Sequence, residues 1–303
     1  MKKYNLITCL LLFPFVSLFS QHYSLYSQYM FNGLVINPAY AGSSGAIDVT
    51  ASHRRQWSGL SGSPTTSAIT LHSPVKGEKV CLGLSISDDR FGATMHQNVN
   101  AVYSYKLKIG ETSSLSLGVQ GGLEFARANW DKLIRNDADD DLLLSSNPGS
   151  MNFTSGAGIY FQSKKIVGGI SSPYILNTSS GRSFLAGPVL LYGGYNFFLK
   201  DSSSIRPSIL FRGIKGSPAQ IDINVMCLWK QKYGIGVSYR NKESFVAMFE
   251  LNFKKQFRLC YSYDYGIGPI KLLHSGSHEV TFRYLISKNK PEIKEDKGQE
   301  EKK

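Results

Sequence analysis

Beyond its first twenty residues the chain has no apolar run near the roughly 20 residues that a membrane-spanning helix requires, so a helical membrane protein is excluded. Helical periodicity is missing too: from Ala46 onward no helical stripe competes with the alternating runs. Cysteine is scarce, four in 303 residues. With Cys9 set aside as part of a leader, Cys81, Cys227 and Cys260 remain, an odd and widely spaced trio that makes no disulfide framework. They fall in strand-like runs and read as small apolar or semi-polar barrel side chains. Zinc-protease, phosphate-loop and nucleophile-elbow strings are absent, so no catalytic residue, cofactor or resident metal is expected. Acidic side chains are the minority, 22 against 34 Lys and Arg, which leaves a formal charge of +12. That surplus is scattered without a basic helix, and nucleic acid is not an expected partner; basic groups along a lumen, or beside lipid phosphates, account for it.

What is present starts with an export leader. Residues 1–20 carry Lys2 and Lys3, an apolar stretch from Leu6 to Phe19, and Ser20 before Gln21. This is the pattern of a signal peptide read by the Sec pathway, with the mature chain starting near Gln21. Cys9 precedes most of the apolar stretch, whereas an acylated cysteine follows it, so lipidation is not expected. At the other end, residues 288–303 are charged and nearly free of apolar groups, and are expected to be a disordered tail. The last strand-like run holds Phe282 and Tyr284 rather than ending the chain on an aromatic residue.

Between these ends the repeating signal has period two. Val99, Ala101, Tyr103, Tyr105, Leu107 and Ile109 alternate with Asn98, Asn100, Ser104, Lys106 and Lys108. One face of such a strand is apolar and the other wet. Similar runs place strands near 45–55, 64–74, 78–88, 97–110, 113–126, 152–162, 164–171, 187–200, 203–213, 219–230, 232–241, 243–254, 256–265 and 277–287. Fourteen is an even number, and about 10 residues per strand suits a tilted membrane crossing. The connections alternate in length, longer near 56–63, 89–96, 127–151, 172–186 and 266–276 and very short in between, as in outer-membrane barrels with long outer loops and short periplasmic turns. The expected fold is therefore an all-β, transmembrane antiparallel barrel over 45–287, multi-pass in the outer membrane. A β-sandwich would alternate strands and turns as well, but its loops need not sort by parity.

Residues 21–44 break the alternation. SQYMFNGLVINPAYAGSSG, from Ser27 to Gly45, is dense in Asn, Tyr, Pro and Gly, and HRRQWSGLSGSPTT follows from His53. Pro38 restricts Asn37 to extended geometry, and Gly42 and Gly45 admit turns. These strings resemble the opening signature of the PorP/SprF family, outer-membrane proteins of the type IX secretion system of Bacteroidota. The resemblance rests on Ser27, Gln28, Tyr29, Asn32, Asn37, Pro38, Ala39, Tyr40, Ala41 and Gly42, then on Arg55, Gln56, Trp57, Gly62, Pro64 and Thr65. A second part lies near the end, in Tyr263, Asp264, Gly276, His278 and Glu279, with RPSILF from Arg206 and SPAQIDIN from Ser217 between. It implies a non-catalytic barrel that helps export or anchor specific cargo, such as gliding adhesins. It also implies partners: outer-membrane lipid, machinery subunits, and secreted proteins with a C-terminal sorting domain. In that reading residues 21–44 plug or line the lumen, or make a periplasmic contact.

Several residues admit more than one reading. Arg54, Arg55 and Trp57 suit a partner surface, since Arg and Trp anchor interfaces; equally, a guanidinium could pair in the lumen with Asp264 or Glu250 and hold the N-terminal segment inside. His278 and Glu279 are adjacent on a strand and point to opposite faces, so they share no acid–base site; a structural hydrogen bond, for instance to a turn carbonyl, is expected for His278. His274 and His278 have a metal spacing only on a helix. Asp137, Asp139 and Asp141 in the longest loop resemble the start of a calcium loop, but Leu142 stands where its glycine should be, so a solvated acidic loop is the expectation. The alternative function is a passive, porin-like solute channel, which needs only an open polar lumen. A hydrolase has no supporting spacing.

Overall fold

The computed structural model describes residues 24–76, 78–129, 149–178, 183–184, 187–214, 216–254 and 256–286. The first half of its wall is β1 (Ile47–Arg55), β2 (Thr65–Lys76), β3 (Val80–Phe91), β4 (Thr94–Lys108), β5 (Ser114–Ala128), β6 (Gly149–Gln162), β7 (Ile166–Asn177) and the short β8 (Ser183–Phe184). The second half is β9 (Val189–Tyr195), the short β10 (Phe197–Phe198), β11 (Ser204–Gly213), β12 (Gln220–Trp229), β13 (Tyr233–Arg240), β14 (Ser244–Phe253), β15 (Phe257–Gly266) and β16 (Ser277–Ile286). The two-residue segments β8 and β10 prolong the stave of β9, so the wall has 14 staves. Each pairs antiparallel with its neighbours, and β1 pairs β16 from Ile47↔Ile286 to Arg55↔His278, which closes the ring.

The alternation in sequence becomes an inverted arrangement of polarity. On β1 the inward Asp48, Thr50, Ser52 and Arg54 are buried. Outward Ile69, Leu71, Leu84, Ile86, Val119 and Ile235 are exposed, and such residues continue around the wall. An exposed apolar surface on this scale needs a nonpolar solvent, and a closed sheet leaves no unpaired edge in it. Aromatic rings mark both ends of this band. Phe257 stacks on Tyr284 at 4.6 Å at the turn end, and Tyr239 meets Phe245 at 5.1 Å at the loop end.

Two connections differ from the expectation. The long loop expected at 89–96 is absent: β3 and β4 continue to a tight turn at Gly92, whose φ is +57°. Its polar residues look loop-like because the strand ends rise past the apolar band; Asp89 points inward and accepts from Thr66 at 2.6 Å. Likewise β7 runs on to Asn177. Pro173 has no N–H to give, and the pairing with β6 slips by two residues to pass it, from Ser155↔Leu176 to Ala157↔Ser172. At the opposite rim the turns are tight: Lys230 and Gln231, and Asp201 and Ser202, have φ of 48°, 54°, 59° and 59°, the mirror-image turns that suit twisted hairpins. Orienting the short turns to the periplasm and the loops outward follows the barrel rule.

Candidate functional site in the lumen

Residues 24–46 occupy the lumen and run from the loop rim down to the turn rim, where β1 begins. Ser24 donates to Asp89 near the β3 end at 3.1 Å, whereas Gly42 donates its N–H to His72 Nδ1 at 3.1 Å in the turn-side half. The segment has no ladder partner, so wall side chains must satisfy its backbone. Two short 3₁₀ turns, Gly33–Val35 and Pro38–Tyr40, compact it. The second is capped by Asn37, whose Oδ1 accepts from Ala39 N–H at 2.9 Å while its Nδ2 donates to the Ile159 carbonyl at 3.0 Å. Wall glycines make the seat for this turn. A Cβ on Gly118 would stand 2.2 Å from the Ala39 nitrogen, and one on Gly158 would stand 2.2 Å from Asn37 Oδ1.

The upper end is fastened by charge. Arg54 is 2% exposed and donates to Asp264 at 2.7 Å, to Glu279 at 3.2 Å and to Ser27 Oγ at 2.9 Å. Ser27 Oγ donates to Asp264 at 2.6 Å and accepts from Arg240 at 3.2 Å, which uses one donor and two lone pairs. Glu279 also takes the Ser27 and Gln28 N–H groups at 2.7 and 3.2 Å, and Gln28 Nε2 reaches Ser262 at 3.0 Å. Arg240 is held in turn by Asp222 at 3.0 Å. Two further clusters brace the wall: Glu250 with Arg206 at 2.6 Å and Arg258 at 3.2 Å, and Asp48 with Arg283 and His72. Since His72 Nδ1 accepts from Gly42, its Nε2 carries the proton toward Asp48 at 3.3 Å.

The residues of the two signature strings therefore meet, although the chain separates them. Tyr29 accepts from Asn224, Asn32 accepts from Thr70 at 3.0 Å, and the Tyr40 ring packs edge-on against His72 and Tyr160. Pro38 and Gly42 are buried in the seat. Gln56 is buried, with its N–H on the Pro64 carbonyl at 2.9 Å, and Trp57 N–H bonds Ser277 Oγ at 3.1 Å. Gly276, at φ +99°, accepts from Ser58 N–H at 2.7 Å, and Tyr263 donates to the Ser275 carbonyl at 2.8 Å. Arg55 and Thr65 are not in this group: they point outward, Arg55 opposite His278. His278 bonds the Tyr261 hydroxyl at 2.7 Å, not a turn carbonyl, while Glu279 faces the lumen. Glu250 pairs with other guanidinia, not Arg54. Arg240 and Asp222 were not singled out from sequence; the signal was their inward parity on neighbouring strands. Asp137, Asp139 and Asp141 lie outside the described residues, and among the described residues no cluster could hold a metal.

Two cavities flank the segment. One of about 710 Å³ opens among the loop-side ends, lined by Ser24, Gln56, Trp57, Asp89, Lys242 and Asp264 among others. One of about 160 Å³ lies lower, lined by Tyr29, Tyr40, Tyr160, Tyr192, Arg206 and Asn224 among others, and the two share no lining residue.

A sealed antiparallel ring, apolar outside and polar inside, defines an outer-membrane β-barrel. Residues 18–284 match the family model of the type IX secretion system membrane protein PorP/SprF, and the chain belongs to that family. No curated protein matches it. Among solved structures it is similar to the CymD monoaromatic hydrocarbon channel, at 10% identity and TM-score 0.51 over 88% of this chain and 94% of that one. It is also similar to Omp33 of Acinetobacter baumannii, at 6% identity and TM-score 0.46 over 80% and 98%, and to the KdgM porin, at 10% and 0.41 over 79% and 99%. At such identity these likenesses concern the fold alone.

Proposed function

We propose that this barrel is a closed, non-catalytic component of the type IX machinery that assists export or surface anchoring of particular cargo. The cargo would be gliding adhesins or other secreted proteins with a C-terminal sorting domain. The chain would reach the outer membrane through the Sec pathway after removal of residues 1–20. The observation that carries this reading is the filled lumen: residues 24–46 are fastened at both rims, and the cavities above and below share no lining residue. A porin-like channel needs an open bore, so the contact surfaces for cargo and machinery become the loop-side cup and the long loops. Two measurements test this. Purified barrel in a planar bilayer should show no steady conductance, and conductance by the intact chain would favour the channel. Deletion of the chain should leave its cargo off the cell surface, and normal surface display would overturn the export role.

A further inference from the structure

The outer face of the wall is not uniform around its circumference. Following the ladder from β16 to β5, one outward row reads Phe282, Ala51, Ile69, Ile86, Val99, Leu123, wholly apolar. The next row toward the loops reads Val280, His53, Ser67, Asp88, Gln97, Phe125, and the one above it His278, Arg55, Thr65, Arg90, Met95, Arg127. Polarity thus changes within one step on neighbouring staves. Arg55, Arg90 and Arg127 are all exposed, and in these rows the one carboxylate is Asp88, held by Arg90 at 2.8 Å and Gln97 at 3.0 Å. On β13–β15 the outward loop-end row is instead aromatic, Tyr239, Phe245 and Tyr265, with the single Lys242 in the turn above it.

We propose that this wall holds a phosphate-bearing lipid of the outward leaflet. Four residues separate the cationic row from the apolar row along each strand, about 9 Å in height for a strand tilted near 45°. The headgroup layer on each side of the hydrocarbon is about 5–7 Å thick, so long arginine stems lying along the wall bring these guanidinia to the phosphates. Arg55, Arg90 and Arg127 sit on alternate staves, about 10 Å apart sideways, with the uncharged Thr65 and Met95 between. A headgroup with two or more phosphates would bridge two guanidinia, each of which can bind a phosphate through two N–H groups.

The full-length barrel should be reconstituted into phosphatidylethanolamine vesicles with and without a tenth of a bis-phosphorylated lipid. Lipid retained after detergent extraction is then read by native mass spectrometry. The wild type should retain the phosphorylated lipid selectively, and the triple variant R55Q/R90Q/R127Q should lose about fivefold in retention per guanidinium removed. The turn-rim control K164Q/K165Q/K230Q should retain it as the wild type does. Should the triple variant insert poorly, R90Q alone should still weaken retention. Equal retention by wild type and R90Q, or loss in the control instead, would overturn the proposal. So would displacement by inorganic phosphate at matched concentration, which would make the site one for a free anion.

Discussion

Arg54 and Arg55 are neighbours with opposite surroundings, and that contrast tests the account of the lumen. Removing the Arg54 guanidinium leaves Asp264 and Glu279, 2% and 1% exposed, without their shared partner. Breaking a buried ion pair from one side costs about 3–5 kcal/mol, or two to three and a half decades in an equilibrium. Arg240 remains 3.7 Å from Asp264, which favours the lower end of that range. R54A should therefore raise the population in which the lumen segment is released about a hundredfold. The assay is thiol labelling at L34C, a buried position of that segment, in a background with Cys81, Cys227 and Cys260 replaced. Maleimide should label L34C about a hundredfold faster with R54A than without it, while heat-modifiable migration reports an intact barrel. R55A, which alters an outward side chain, should leave the rate unchanged. Equal rates for R54A and its parent would refute the claim that charge fastens the segment; faster labelling by R55A would refute the assigned facing.

Three further outcomes follow from the same geometry. V119K places an ammonium on the outward face and should cost about 2–4 kcal/mol in refolding titrations into lipid if it lies near the bilayer midplane; a cost near zero would place Val119 outside hydrocarbon. G118V should unseat the Pro38–Tyr40 turn at a cost of about 1–3 kcal/mol, since its Cβ alone would stand 2.2 Å from the Ala39 nitrogen; L34C labelling should rise, and an unchanged rate would contradict the close approach. An epitope placed before Ser24 should be reached by antibody on whole cells, whereas one placed after Ile286 should require permeabilised cells; the reverse pattern would invert the barrel.

The staves were legible because barrel strands write their two solvents at period two, as Val99 to Ile109 does against Asn98 to Lys108. Legibility failed where polar residues lie on both faces: Asp88, Asp89 and Arg90 form a strand end above the apolar band, yet composition alone reads as loop. It failed again at Pro173, whose interruption the pairing absorbs with a two-residue slip. In the lumen, the irregular Ser27–Gly45 stretch announced a specified conformation, and Asp264 was named as a partner for a guanidinium. The contacts of Ser27 to Glu279 and Arg240 span more than 200 residues of chain, and sequence carries no ruler for which inward polar groups face one another across a bore.

The lumen segment joins the wall at the turn rim, next to Ile47, and its other described end lies at the loop rim. That asymmetry makes any clearing of the barrel one-way. Material pulled toward the cell exterior would still be tethered through the passage it had left, whereas withdrawal toward the periplasm empties it. A partner that cleared the bore by this route would act at the turn rim, whereas one seated in the loop-side cup meets a closed barrel.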